Sequence, residues 1–227
     1  MVHVAFTPSE LEPVEVAVVI DVLRATTTIA AALAAGHDRV LCCQDVETAE
    51  GLRGPDRILA GERECVAIPG FDRGNSPLGF DDGTATGDLV LSTTNGSRAI
   101  VAATDSSREV VLASLANLDA VLAGLPADDV TFVCAGTDGG MAIEDVYLAG
   151  IMVERVGGEP SDAALIAARM ATAFPSHREA LAAGANARVL RETDQQADID
   201  YCGRESILDV VPRVSGGMDK VAIVTST

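Results

Sequence analysis

Short apolar runs rich in Val, Ile and Leu alternate along this chain with Ala-rich stretches whose apolar positions recur at helical spacing. Val14–Ile20 reads as a buried strand, and Thr26–Ala35 as a helix that Gly36 stops. Arg39–Cys43, Ile58–Ala60, Leu89–Ser92, Val110–Leu112, Val130–Cys134 and Ala222–Val224 predict further strands. Helices are predicted over Val46–Leu52, Ser97–Ala103, Asn117–Leu125, Glu144–Val156, Ser161–Ala173 and about Arg178–Leu190. Strand-then-helix alternation implies an α/β domain, with helices on both faces of a largely parallel or mixed sheet. Ala67–Gly87 is rich in Gly, Pro and Asp and lacks helical period, so it is predicted to be a long loop of functional interest. No repeat, linker or composition shift divides the chain, and residues 1–227 are read as one domain.

Four predicted strands run into polar, turn-rich loops. Val18–Ile20 leads into Asp21-Val22-Leu23-Arg24, Ile58–Ala60 into Gly61-Glu62-Arg63, and Leu89–Leu91 into Ser92-Thr93-Thr94-Asn95-Gly96-Ser97-Arg98. Phe132–Cys134 leads into a Gly-rich turn at 135–140, with Glu144-Asp145 on the next helix. Ligands of open α/β sheets bind outside the carboxyl ends of the strands, so parallel strands would bring these four loops to one crevice. The residue types suit phosphate chemistry. Gly-turns opening helices present unpaired N–H groups to an anion, and Arg24, Arg63 and Arg98 suit anionic oxygens. Asp21, Glu62, Glu144 and Asp145 are the hard oxygen donors that Mg²⁺ takes. Each element also has a plainer reading: Asp21 as a helix cap, Glu144 and Asp145 as partners of a helix dipole, the arginines as partners of local acids.

Composition sharpens this picture. The chain has 34 acidic and 16 basic residues, a formal charge of -18, and Lys220 as its one lysine. Self-repulsion of that size is best tolerated where salt screens it, so adaptation to a salt-rich cytoplasm is expected, an ordinary acidic enzyme being the alternative. A nucleic-acid partner is not expected, because a phosphate backbone calls for a basic face. Five cysteines without a C-x-x-C pair read as reduced, buried thiols. Neither a signal peptide nor an apolar run of membrane-spanning length is visible, so a cytoplasmic location is expected. His3, His37 and His177 stand isolated in sequence and are weak candidates for a catalytic base. Asp21-Val22-Leu23 lacks the second aspartate of the D-x-D phosphoryl-transfer signature, and the C-x5-R and G-x-x-x-x-G-K-[ST] signatures are absent.

At the same polar residues the chain resembles the 2-phosphosulfolactate phosphatase (ComB-like) family. The resemblance rests on Ile20–Thr28 (IDVLRATTT), Gly61-Glu62-Arg63, Gly70–Leu78 (GFDRGNSPL), Thr93–Ala99 (TTNGSRA), Cys134–Thr137 with Glu144-Asp145, and Asp198–Cys202 (DIDYC). It implies a three-layer α/β/α fold and Mg²⁺-dependent hydrolysis of 2-phospho-3-sulfolactate to sulfolactate and phosphate, a step towards coenzyme M. It further implies Asp21, Glu62, Glu144 and Asp145 as metal candidates, with Asp21, Glu62 and Arg63 as catalytic candidates. Arg24, Asn75, Ser76, Thr94, Asn95, Gly96 and Arg98 are implied as substrate-binding candidates. Asn186–Gln196 departs from the glycine-containing pattern expected there. Two alternatives stay open: a phosphatase for another small phosphorylated hydroxy acid, and a non-catalytic binder of a phosphorylated metabolite. Carboxylates beside anion loops speak against the binder, which gains nothing from them without a metal. Sequence does not fix the oligomeric state; a homodimer is the candidate assembly for a small α/β enzyme.

Overall fold

A computed structural model describes residues 1–80 and 85–226. Ten strands form one mixed sheet and nine α-helices accompany it among the described residues. In chain order these are β1 (Val2–Ala5), β2 (Val14–Ile20), α1 (Ala25–Ala35), β3 (Arg39–Cys43), α2 (Val46–Gly51), β4 (Arg57–Arg63) and β5 (Val66–Ala67). There follow β6 (Asp88–Ser92), α3 (Gly96–Ser106), β7 (Ser107–Ala113), α4 (Leu118–Ala123), β8 (Val130–Cys134), α5 (Ile143–Val156) and α6 (Asp162–Ala171). The chain continues through α7 (His177–Ala183), α8 (Ala185–Glu192), α9 (Gln196–Cys202), β9 (Pro212–Met218) and β10 (Val221–Ser226).

Alternation along single strands shows why this is a three-layer structure. On β2, Val16, Val18 and Ile20 pack with Leu148 and Met152 of α5, while Ala17 and Val19 pack with Ile29 and Leu33 of α1 and Ile100 of α3. On β3, Val40 and Cys42 face that second cluster, whereas Leu41 and Cys43 face Ala49 of α2. Successive side chains point to opposite faces, so strands apolar on both faces require helices above and below.

Across the sheet the strand order is β1-β8-β2-β7-β9-β10-β3-β6-β4-β5. Strands β1, β8, β2 and β7 form one parallel wing, and β3, β6 and β4 another. Between them lie three antiparallel ladders, β7/β9, β9/β10 and β10/β3. This corrects the expectation that the four polar loops follow strands of one parallel set: an odd number of reversals makes the wings run in opposite senses. The loops nevertheless meet. Adjacent strands rotate by roughly 20–25°, so the five ladders between β2 and β6 add up to a turn of roughly 100° or more. The two wings are also cross-linked by helices, since α1 leaves β2 and enters β3 while α3 leaves β6 and enters β7.

Each predicted strand lies within an observed one, but other elements differ. β1, the two-residue β5, the short helix α9 and β9 were not predicted; β9 opens on Pro212 and carries Gly216 and Gly217, a composition that strands usually avoid. The predicted helix at 178–190 is two, α7 and α8, parted by Gly184 in an extended conformation (φ -73, ψ 169). The predicted long helix Asn117–Leu125 is a six-residue α4 behind a single 3-10 turn, Leu115–Asn117. Within the predicted loop 67–87, Pro77–Phe80 forms a 3-10 turn and residues 81–84 lie outside the described residues. Among the described residues no helix is long and apolar enough to cross a membrane.

Candidate active site

A cavity of about 450 Å³ opens where β2, β4, β6 and β8 end. Asp21, Arg24, Glu62, Thr94, Asn95 and Thr137 are among its walls, so all four polar loops contribute to it. Leu23, Val66 and Val189 supply apolar surface, the last from α8.

Two long helices start here. Between β2 and α1, the Asp21 carboxylate accepts from the Ala25 N–H through Oδ1 (3.2 Å), and its carbonyl accepts from the N–H and hydroxyl of Thr26 (3.1 and 2.8 Å). The α1 threonines are buried but satisfied, Thr27 on Val22 O (2.9 Å) and Thr28 on Asn75 O (3.0 Å). The start of α3 is different: Asn95 gives no side-chain cap, and the N–H groups of Asn95, Gly96 and Arg98 donate to no protein acceptor among the described residues. The starts touch, because a Cβ on Gly96 would lie 2.4 Å from Ala25 Cβ and 2.5 Å from Asp21 Oδ2. Only glycine allows that approach.

The four carboxylates fall into two pairs. Glu62 is fully committed: Oε1 accepts from Thr94 N (2.7 Å), and Oε2 from Cys65 N (2.8 Å) and Thr94 Oγ1 (3.2 Å). Asp145 is committed too, taking Val22 N (2.9 Å) on Oδ1 and Gly136 N (3.0 Å) on Oδ2, and so ties the exit of β2 to that of β8. Asp21 and Glu144 are each half-committed. Asp21 Oδ2 makes no hydrogen bond among the described residues. Glu144 Oε1 accepts from Asn186 Nδ2 (2.7 Å), whereas Oε2 is buried without a partner. Burial, and then the charges of Glu62 and Glu144 against the opposing Ala25 hydrogen bond, push the Asp21 carboxyl up to about 7. Burial likewise raises Glu144, and burial with the Asp21 charge raises Asp145 well above the carboxylate range. The crowded acids thus resist carrying charge together, and a cation entering the site would favour their ionised forms.

The hairpin from β4 to β5 forms one wall. Its two turn residues, Glu64 (φ 52) and Cys65 (φ 64), both adopt left-handed backbone that non-glycine residues avoid. Tertiary bonds impose it: Glu62 holds the Cys65 N–H, and Arg24 Nη2 (3.3 Å) and Gln195 Nε2 (2.9 Å) hold its carbonyl. Burial pushes the Cys65 thiol up to about 11 and Cys202 up to about 12, so both are protonated at neutral pH.

The nominated arginines are deployed unequally. Arg24 lies in the cavity wall, but its guanidinium is committed to Asp198, Gln195 and Cys65 O. Ser76 donates to the other oxygen of Asp198 (2.6 Å). Arg63 binds Glu62 O (2.6 Å), Ser92 O (3.1 Å) and Ser92 Oγ (2.9 Å), bracing the ends of β4 and β6. Arg98 is exposed and lines a separate groove with Asp45 and Lys220. Asn75 faces the cavity with its Oδ1 buried and unpartnered. Sequence reasoning overlooked Asn186, Gln195 and the anchoring part of Asp198; Asp198 lay in a recognised block, but nothing in local pattern marks the other two. Among the described residues, no three His, Cys, Asp or Glu side chains form a ready metal cage.

The model of the 2-phosphosulpholactate phosphatase family matches residues 3–217. A protein of Thermus thermophilus named a probable 2-phosphosulfolactate phosphatase is 36% identical over 217 residues, 92% of each chain. Similarly named proteins of Deinococcus radiodurans (38% identical, 90% of each chain) and Thermotoga petrophila (36%, covering 96% of this chain and 97% of the relative) agree with it.

Proposed function

The chain belongs to the 2-phosphosulpholactate phosphatase family and is thus a phosphoric monoester hydrolase, and from that premise we propose that it hydrolyses 2-phospho-3-sulfolactate to 3-sulfolactate and phosphate with Mg²⁺ bound, as on a route to coenzyme M. One observation carries the reading: the half-committed carboxylate of Asp21 lies against Gly96 at the start of α3, where N–H groups are uncommitted among the described residues. The phosphoryl group is assigned to those N–H groups, where the helix dipole adds to their attraction.

The residues fit a magnesium ion. Glu144 Oε2 is an orphaned, buried oxygen, Asp21 Oδ2 is uncommitted, and the mutual repulsion of the acids is relieved by a cation. Magnesium typically takes one or two carboxylates and completes its shell with water and substrate phosphate, so a cage of three acids is not needed. Asp21 and Glu144 would hold it, and it would neutralise phosphoryl charge and acidify a bound water. Glu62, Arg63 and Asp145 fix the loops through backbone groups. Asn75 Oδ1, buried and unpartnered, is placed to accept a hydrogen bond from an O–H in the cavity, and Leu23 and Val189 give the wall its apolar part. In the net reaction a water oxygen bonds to phosphorus, the ester P–O bond breaks, and the departing alkoxide takes a proton to become the 2-hydroxy acid.

A second substrate is favoured by one feature. Arg24 is the one arginine lining the cavity among the described residues, and it is spent on Asp198. Among the described residues no uncommitted arginine lines the cavity for a sulfonate, so a phosphorylated 2-hydroxy acid without one also fits. Phosphate release from both esters, with Mg²⁺ or chelator and at low and molar KCl, tests the reading. Turnover that survives chelator removes the metal; no release from any ester in metal-replete, high-salt buffer makes the protein a binder. A higher kcat/KM for the sulfonate-free ester selects the second substrate.

A further inference from the structure

Glu144 is 1% exposed, and its surroundings come largely from a segment far along the chain. Asn186, the second residue of α8, donates through Nδ2 to Glu144 Oε1 (2.7 Å) and to Thr137 Oγ1 (2.8 Å). A carboxylate only accepts, so the amide nitrogen must face it and the carboxamide orientation is fixed. Gly184, just before α8, packs on the other oxygen: a Cβ there would lie 2.4 Å from Glu144 Oε2. The α7–α8 junction thus holds one oxygen by a hydrogen bond and, through Gly184, keeps a side chain off the second. Because Oε2 is buried and unpartnered, this arrangement costs stability as it stands. The cost is offset if the free oxygen serves a ligand.

We propose that Asn186 is a positioning residue that holds the Glu144 carboxylate through Oε1 so that Oε2 is presented to the bound cation, coupling the seating of α8 to assembly of the site. The inference rests on the magnesium reading given above. It also explains why α8, which supplies Val189 to the cavity wall, starts where it does: the break at Gly184 that divides it from α7 is the place where a side chain would collide with Glu144. A purely structural Asn186, docking α8 and nothing more, would affect stability and leave cation affinity alone.

The test is calorimetric titration of the purified, metal-free chain with MgCl₂, alongside its melting temperature and steady-state kinetics. Asn186→Ala is expected to weaken Mg²⁺ binding by about 10–100-fold, the usual effect of removing a hydrogen-bond partner from a metal-ligating group. Its metal-free melting temperature should fall modestly, because buried Oε1 loses its partner, and saturating Mg²⁺ should restore much of kcat. Asn186→Asp, which sets a carboxylate against a carboxylate, should weaken binding at least as much, and Gly184→Ala should weaken it by obstructing Oε2. Should Asn186→Ala fail to fold, Asn186→Ser carries the same expectation. Wild-type Mg²⁺ affinity in a destabilised Asn186→Ala overturns the proposal in favour of simple docking. A raised substrate KM with unchanged Mg²⁺ affinity overturns it in favour of direct substrate contact. Absence of Mg²⁺ binding by the wild-type chain brings down the metal reading itself, and is separable because that titration comes first.

Discussion

The starts of α1 and α3 meet at one cavity and are built in opposite ways. At α1 the backbone is satisfied from within: Asp21 takes the Ala25 and Thr26 N–H groups, and Arg24 is locked to Asp198. At α3 three N–H groups are left without protein partners among the described residues, and the cap side chain does not intervene. The first start therefore concentrates negative charge on a carboxylate with one oxygen to spare, and the second concentrates donors. A phosphoryl group and a cation need those two environments side by side. The pair of crossovers teaches that a bifunctional site follows from satisfying one helix end and leaving the other open, with Gly96 as the contact that keeps them adjacent.

The sharpest way to break this comparison is Asp21→Asn, expected to lower turnover by roughly 10²–10³-fold or more while the chain stays folded. Its effect on stability has the opposite sign. The folded carboxyl titrates at about 7 against an ordinary value of 3.8, so the penalty is absent below the lower value. It grows as pH rises between the two and is complete above 7, amounting to at most about 4 kcal/mol. Metal-free wild type should accordingly lose melting temperature from pH 5 to pH 8, and Asp21→Asn should lose less; the overall negative charge affects both alike. Parallel curves would show that Asp21 is not buried at a negative site.

Gly96→Ala should come next. Its methyl would meet both Ala25 and Asp21 and force the helix starts apart. A displacement of about 1 Å at reacting groups costs about 100-fold in rate, and overpacking about 1–3 kcal/mol in stability. Kinetics and urea unfolding of the same sample read both, and near-normal kcat/KM would separate the donor cluster from catalysis. Glu62→Gln sharpens the division between spent and uncommitted carboxylates. It turns an amide group towards an N–H of Thr94 or Cys65, so stability should fall by about 1–3 kcal/mol, with reduced turnover and unchanged Mg²⁺ affinity. Loss of Mg²⁺ binding as complete as in Asp21→Asn would return Glu62 to the metal shell.

Much of the frame was legible because it rests on local pattern. β2 could be recognised because Val16 to Ile20 is apolar on both faces, and α1 because Gly36 ends it in a left-handed turn (φ 110). What could not be read has long-range causes. No local pattern reports that β9 and β10 reverse the sheet between two parallel wings, or that Glu64 and Cys65 turn a hairpin without the residues such turns favour. The division of labour among the carboxylates was hidden for the same reason: Asp145 is tied by Val22 and Gly136, and Glu144 by Asn186, contacts that depend on the packed fold. Residue type nominated four equal acids, and hydrogen-bond geometry makes them unequal.

Asp194 offers the smallest test, in the segment where the sequence departs from the glycine-containing pattern expected there. It links α8 to α9 with φ 58, the left-handed region, while its N–H bonds to Arg191 O (3.3 Å) and the next N–H to Leu190 O (2.7 Å) close the helix end. Glycine adopts that backbone without the clash a Cβ brings, but also loses more freedom on folding, so the two effects largely offset. Asp194→Gly should stabilise the chain by about 0.5 kcal/mol and leave turnover unchanged. The neighbouring Gln195 nevertheless holds both Arg24 and the Cys65 carbonyl. If the aspartate at this turn set the aim of Gln195, the glycine variant would lower kcat/KM despite its added stability. Unchanged kinetics would instead show that the α1 side of the cavity is fixed by the Arg24–Asp198 pair, independently of the turn that precedes it.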